Sequence, residues 1–335
     1  MGERVLVVGP AFHGYSESLA TALRVLDHEV ATHPYDLYAT VGDKLRNKVR
    51  YELPERLGRP EGDRRRRQDL TVRAIAALRA ARPDAVVVIR GDLLGADFWQ
   101  TAEALKARTV LWLYDELRRM EHDPETLRRV DTLITYSPLD AESLRASGVE
   151  THCIANAFDD TYEIRPEPVE SFLFVGARYP NRQRAVERLV AADVPVLAVG
   201  RDWSHHLFDR LRTWQLARPD VPARRDVSRS EAYNLMAGAL GSLNIHTDQD
   251  GFTMRTFETG GAGGLQLIDR PDVSEFYDPG TEVAVFTSEE EMVELARRAV
   301  ADRSWARKIG EAARRRTLAE HTFVRRARKL EQVWG

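Results

Sequence analysis

Apolar residues gather in short, nearly unbroken runs along the first half of the chain: RVLVVG at 4–9, AVVVIR at 85–90, TVLWLY at 109–114, DTLITY at 131–136 and THCIA at 151–155. Runs of this length without polar alternation predict strands covered on both faces. Amphipathic stretches at helical spacing lie between them, and the alternation is that of βα units building a parallel sheet. The segment NAFDDTYEIRPEPVE, 156–170, breaks the rhythm with acids and two prolines and is expected to link two domains. The strand pattern restarts with FLFVG at 172–176, VPVLAVG at 194–200, SLNIHT at 242–247, GLQLID at 264–269 and EVAVF at 282–286. From Ser288 onward the pattern is helical, opening on a Ser/Glu capping signature. The expectation is an α/β protein with two doubly wound, Rossmann-like domains facing across a cleft. The first covers 1–156, a linker 157–170, and the second 171–320. A final helix, 321–335, is expected to cross back to the first domain, with Phe323, Leu330, Val333 and Trp334 spaced to pack it.

Composition supports this picture and excludes several others. With 335 residues, 43% hydrophobic and 30% charged, the chain has material for two packed domains. A formal net charge of −3 gives no global field for polyanions. The basic run Arg64 to Arg67 opens a stretch rich in Ala, Leu and Arg and reads as a solvated helical turn, so no nucleic-acid partner is expected. The single cysteine, Cys153, rules out an internal disulfide framework, and its apolar surroundings predict a buried strand position. No apolar run approaches the roughly 18 residues that span a bilayer. The N-terminus leads directly into RVLVVG without a basic region or cleavage site. No stable membrane insertion and a cytoplasmic location are the expectations.

The chemistry concentrates in SLNIHTDQDGFTMRTFETGGAGG, 242–264. It reads as strand, loop and helix, the helix beginning near Thr253 or Met254 and breaking at Gly260–Gly261. A helix N-terminus offers unpaired N–H groups and partial positive charge, so this loop is built to meet an anion. Gly251 lets the backbone approach a ligand closely. Arg255 lies in the first turn and Glu258 about one turn along. A carboxylate buried there needs donors, which sugar hydroxyls supply.

DGFTMRTFETGGAGGLQLIDRPDVSEFYDPGTEVAVFTSEEEMVELARRAV (250–300), followed by RRRTLAEHTFVRRARKL (314–330), resembles the C-terminal domain of GT-B-fold glycosyltransferases, most closely the spore-maturation CgeB-like branch. The resemblance is carried by 172–334; over 1–155 it rests on the order of elements. The wider retaining group has two acids with seven residues between them, the spacing of Asp250 and Glu258. That group usually has glutamate at the first position, where this chain has Asp250. The resemblance implies that Glu258 accepts hydrogen bonds from the nucleotide ribose. The backbone of Gly251, Phe252, Thr253, Met254, Arg255 and Thr256 would face the donor sugar and diphosphate, with His246 joining the same set. A second hallmark is a basic residue six positions past a strand-end glycine, here Arg182 after Gly176, with Arg178 between them. Two guanidiniums there would offset charge developing on the leaving diphosphate. RRDVSRSEAYNLM, 224–236, resembles the segment that meets the base edge, which makes Asp226 and Val227 candidates.

The first strand-to-helix loop, GPAFHG, lacks the three glycines of the dinucleotide fingerprint. Its His13 would face the cleft, as would Asp115 at the end of TVLWLY; these are the candidate catalytic residues, orienting an acceptor hydroxyl or taking its proton. Trp203 either stacks on a base or seals the domain interior. Asp248 to Asp250 formally match the metal-binding Asp-x-Asp of the other glycosyltransferase fold, but that motif follows the early strands of a single-domain sheet. No metal and no resident cofactor are therefore expected. The expected activity is metal-independent transfer of a sugar from a nucleotide-diphosphate sugar to an acceptor hydroxyl of unknown identity. A nucleotide-sugar epimerase or phosphorylase on the same fold, and a non-catalytic nucleotide-sugar-binding protein, are the alternatives.

Overall fold

The computed structural model describes residues 2–11, 14–35 and 61–334. The apolar runs of the first half become the central strands of one sheet: β1 (Arg4–Gly9), β3 (Ala85–Ile89), β4 (Arg108–Trp112) and β5 (Thr132–Thr135). Helices α1 (Tyr15–Val25), α2 (Glu61–Ala81), α3 (Ala96–Ala104), α4 (Pro124–Arg129) and α5 (Pro138–Ala146) alternate with them. All six strands are parallel in the order β2-β1-β3-β4-β5-β6, with β2 (Glu29–Pro34) and β6 (His152–Cys153) at the edges. β2 is half-exposed, so its sequence EVATHP lacks the apolar run that marks its neighbours. Cys153 corrects the expectation of burial: it is exposed, because β6 is a two-residue edge strand.

The second sheet is built from β7 (Val169–Val175), β8 (Val196–Val199), β9 (Ala223–Arg224), β10 (Ala239–Asn244), β11 (Gln266–Ile268) and β12 (Ala284–Val285). Their helices are α6 (Pro180–Val190), α7 (Leu207–Thr213), α8 (Arg229–Gly238), α9 (Met254–Ala262), α10 (Glu289–Ala301) and α11 (Arg303–Glu320). These strands are also all parallel, in the order β12-β11-β10-β7-β8-β9. The chain builds outward from β7 through β8 to β9 and then returns to place β10 on the other side of β7. Open α/β sheets bind ligands outside the carboxyl ends of the strands at such a reversal. The first sheet has its own reversal between β1 and β3.

Packing divides the chain into two units: residues up to Ala155 together with those from Phe323 onward, and Asn156–Thr322. The segment expected as a linker, 157–170, is tied into the second unit, and β7 begins inside it at Val169. The Phe158 N–H donates to the His321 carbonyl at 2.8 Å, and Arg229 holds Asp159 at 3.2 Å with both side chains buried. The last helix, α12 (Phe323–Val333), packs on α1, burying Phe323, Leu330 and Trp334 and half-burying Val333. Its Glu331 pairs with His28 at 3.0 Å.

α9 does not break at Gly260–Gly261 but runs through them to Ala262 and ends at Gly263, whose φ of 85° is the left-handed conformation that favours glycine. The two earlier glycines serve close approach instead. A Cβ at Gly261 would stand 2.3 Å from the Phe158 ring, and one at Gly260 would stand 2.8 Å from Thr317 Oγ1 on α11. Among the described residues, no helix is long and apolar enough to cross a membrane.

Candidate functional site

The carboxyl ends of β7 and β10 define the switch point, and the chain is stitched together there by side chains reaching backbone carbonyls. α6 starts at Pro180, whose fixed φ suits a first helical position. In the same turn Arg182 Nε donates to the Ile245 carbonyl at 2.9 Å, and its guanidinium lies 4.9 Å from the centre of the Tyr179 ring. Asn181 donates to the His246 carbonyl at 2.6 Å. The end of β10 is thereby fixed to the start of α6. Arg178 is half-buried and donates to the side-chain oxygens of Gln183, at 3.1 Å, and Gln215.

Beyond β10, His246 is buried and held from two sides by Asp269, at the end of β11. Its N–H lies 3.0 Å and 3.1 Å from the two carboxylate oxygens, and its Nδ1 is 2.9 Å from Oδ1. The carboxylate favours a proton on Nδ1, which in the neutral ring leaves Nε2 as an acceptor. That Nε2 is buried with no hydrogen-bond partner among the described residues. The following loop is clamped by Arg270, which donates to the Gln249 carbonyl at 2.8 Å and the Asp250 carbonyl at 2.7 Å and covers the Phe252 ring at 4.5 Å. A hydrogen bond from Arg270 holds the Asp272 carboxyl below its ordinary range, and the same bond raises the Arg270 guanidinium. Asn156 fixes the Phe252 carbonyl at 3.0 Å. Gly251, Phe252 and Met254 are buried in this loop.

α9 begins at the capping residue Thr253, whose side chain makes no capping hydrogen bond. The Thr256 N–H donates to the Thr253 carbonyl at 3.1 Å, and the partial positive charge of the helix start suits an anion. Thr256 is fully buried and turned to the core, its hydroxyl accepting from Asn244 at 2.9 Å. Glu258 is 1% exposed. Its Oε2 stands 2.7 Å from the Arg255 guanidinium one turn back, and its Oε1 accepts from the Tyr233 hydroxyl at 3.4 Å. The Arg255 contact is an ion pair off the line of a hydrogen bond, since Oε2 counts no hydrogen-bond partner.

Other residues of the sequence pattern spread along the same edge or lie elsewhere. Asp226, after β9, accepts from the Arg201 N–H at 2.7 Å and from its guanidinium. Val227 beside it is half-buried. Trp203 seals the interior: it is fully buried, donates to the Gly176 carbonyl at 3.0 Å and meets Phe174 edge-on. Asp248 is exposed, and among the described residues no group of three His, Cys, Asp or Glu is placed to hold a metal. His13 lies outside the described residues. Asp115 follows β4 in the first unit, with Oδ1 accepting from the Glu116 N–H at 3.0 Å and Oδ2 at 4.0 Å from Arg90. Burial opposes the charge on Arg90, but its hydrogen bond to Asp92 and the fields of Asp92 and Asp115 outweigh that and raise its pKa. Sequence reasoning missed Asp269, Arg270, Asn181 and Asn156 as organisers of the second site. The strand-end run LIDRP carried a signal for the first two, because an acid and an arginine follow β11 on the ligand-binding edge.

Residues 178–332 match the family model described as glycosyl transferase-like. Those residues are similar to a glycosyl transferase-like domain. The fold is similar to that of several solved structures. A sucrose-phosphate synthase from Thermosynechococcus elongatus superposes with a TM-score of 0.62 at 14% identity, covering 99% of this chain and 98% of that one. HepE of Anabaena, solved with UDP-glucose, gives 0.62 at 13% identity over 98% of each chain. A putative UDP-N-acetylglucosamine 2-epimerase from Listeria monocytogenes gives 0.56 at 10% identity over 98% of this chain and 95% of its own. No curated protein sequence matches the chain. The two parallel six-stranded sheets are those of the GT-B glycosyltransferase fold, and the residues matched by the family model include the clamped loop and α9.

Proposed function

We propose that the protein is a glycosyltransferase, nearest the CgeB-like branch, which moves a sugar from a nucleotide-diphosphate sugar to an acceptor hydroxyl without a metal ion. The observation that carries this reading is the gathering of the buried Glu258 carboxylate, the arginines and the uncapped start of α9 at the switch point of the second sheet. Glu258 accepts from the ribose hydroxyls. Because Arg255 now sits against that carboxylate, donor entry exchanges the ion pair for ribose hydrogen bonds and frees the guanidinium for the diphosphate. Arg178, Arg182 and N–H groups between Gly251 and Arg255 supply further donors to the diphosphate. When the bond between the anomeric carbon and the diphosphate oxygen breaks, the electron pair stays on that oxygen, and fixed cations and amide dipoles stabilise it. His246 offers its buried Nε2 to a donor hydroxyl, and Asp226 and Val227 are assigned to the base edge. His13 and Asp115 are assigned to the acceptor hydroxyl on the strength of the family resemblance.

The test is calorimetric titration with UDP-, GDP-, dTDP- and ADP-sugars, followed by transfer assays with and without EDTA. One donor class binds, Glu258→Ala and Arg182→Ala each weaken it about ten- to a hundredfold, and transfer persists in chelator. Binding by none of the four, or unchanged affinity in both variants, overturns the donor site. Loss of transfer in EDTA that manganese restores overturns the metal-free mechanism. The likeness to the Listeria structure supports a second reading, a nucleotide-sugar epimerase. Incubation with donor alone separates the two, since an epimerase converts or releases the sugar without an acceptor.

A further inference from the structure

Large apolar side chains in a soluble fold are ordinarily buried, yet one short stretch of the second unit holds five of them out. On α7 and the turn after it, Leu207 is 67% exposed, Phe208 56%, Leu211 55%, Trp214 74% and Leu216 67%. Trp214 ends the helix in the left-handed conformation, φ 56°.

Positive charge predominates on this face, with Asp202 near Arg218 and the exposed Asp220 at its borders. Residues 205–218 contain three arginines, Arg210, Arg212 and Arg218, against a single acid, Asp209. Asp209 is buried and held by Arg225 at 2.7 Å, so it does not offset them at the surface. The Arg225 guanidinium itself lies over the Phe208 ring at 5.9 Å. The guanidinium of Arg218 is held below its ordinary pKa by burial first and then by the nearby Arg178 and Arg210, against the opposing fields of Asp202 and Asp209.

We propose that residues 205–218 are a membrane-surface docking element that seats Leu207, Leu211, Trp214 and Leu216 in the interface of an anionic bilayer. An apolar strip with aromatic residues, flanked by arginines, matches that interface chemically: the strip enters the headgroup and acyl boundary and the cations meet acidic lipids. A second copy of the chain fits worse, because a two-fold interface sets a patch against itself and would bring the arginines face to face. The contact is peripheral and spans nothing.

The experiment is co-sedimentation of the full chain with vesicles of phosphatidylcholine alone, or of equal parts phosphatidylcholine and phosphatidylglycerol. It compares wild type with Leu211→Ser/Trp214→Asn and with Arg212→Glu, and light scattering reads the oligomeric state. Asn tolerates the left-handed position of Trp214, and thermal melting checks that each variant is folded. Wild type pellets with the anionic vesicles at low salt and far less with phosphatidylcholine or at high salt. The double variant partitions about tenfold or more weakly, Arg212→Glu also weakens binding, and the melting temperatures stay unchanged. Failure of wild type to bind anionic vesicles overturns the proposal, as does equal binding by the folded double variant. A dimeric wild type that the double variant turns monomeric also overturns it, because the face would then be covered by a second copy.

Discussion

Glu258 and Arg255 are an unequal pair, and the inequality can be measured. The glutamate is 1% exposed, and its carboxylate has the Arg255 guanidinium at 2.7 Å and one long hydrogen bond from Tyr233 at 3.4 Å. The Arg255 side chain keeps 26% of its surface in solvent. Arg255→Met strands a carboxylate in a nearly dry place, whereas Glu258→Gln strands a cation that water reaches. Breaking a buried pair from one side costs about 3–5 kcal/mol, and the partial exposure of the arginine lowers that to about 2–3 kcal/mol for Arg255→Met. Glu258→Gln keeps the shape and a hydrogen-bonding group and costs about 1 kcal/mol. For a unit of this size, about 2–3 kcal/mol lowers the melting temperature by roughly 4–12 °C and about 1 kcal/mol by roughly 2–4 °C. The double variant should be more stable than Arg255→Met alone, since the stranded charge is gone. Differential scanning calorimetry of the four proteins reads all of this. Equal losses in the two single variants, or a double variant no better than Arg255→Met, would refute the account of Glu258 as a charge that depends on its arginine.

Two further outcomes follow from the same elements. Gly261→Ala drives a Cβ to 2.3 Å from the buried Phe158 ring, and should cost about 1–3 kcal/mol by overpacking. Thermal melting checks it, and unchanged stability would mean that Phe158 moves aside freely. Asp272 is held below its ordinary value of 3.8 by its hydrogen bond from Arg270. A depressed carboxylate contributes stability that is present above the unfolded value and lost as pH falls through the folded one. The clamped loop should therefore keep its amide exchange protection at pH 5 and lose it only below the ordinary carboxylate range. Arg270→Ala should show low protection at every pH, and a wild-type loop already open at pH 5 would contradict the clamp.

The fold was legible where burial is two-sided. Central strands such as Ala85–Ile89 are apolar at every position because helices cover both faces, and their shortness and β-branched content mark them as strands. β2 and β9 escaped because neither of these edge strands carries such a run, and Cys153 was misplaced because its neighbours' hydrophobicity was taken as its own. The glycines of α9 misled for a related reason. Glycine near a helix end marks termination only when its backbone turns left-handed, as at Gly263, whereas Gly260 and Gly261 answer to Phe158 and to Thr317, which lie far away in sequence. Local pattern reports a residue's own element well and its distant neighbours poorly.

The same limit explains which parts of the second site could be read. Arg255 and Glu258 sit three positions apart on one helix, so their meeting follows from helical spacing. Arg182 and Arg270 reach the carbonyls of Ile245, Gln249 and Asp250, and a backbone carbonyl looks the same whatever residue bears it. Sequence could nominate Arg182 as a cation near an anion but could not show that it also holds the end of β10 in place. The two roles are compatible, because a carbonyl accepts a hydrogen bond without cancelling the charge of the guanidinium that donates it. An arginine anchored in this way is a rigid source of positive potential at the sheet edge. Its lysine replacement would keep the charge and lose the planar fork that fixes the loop, so Arg182→Lys separates anchoring from electrostatics where Arg182→Ala removes both.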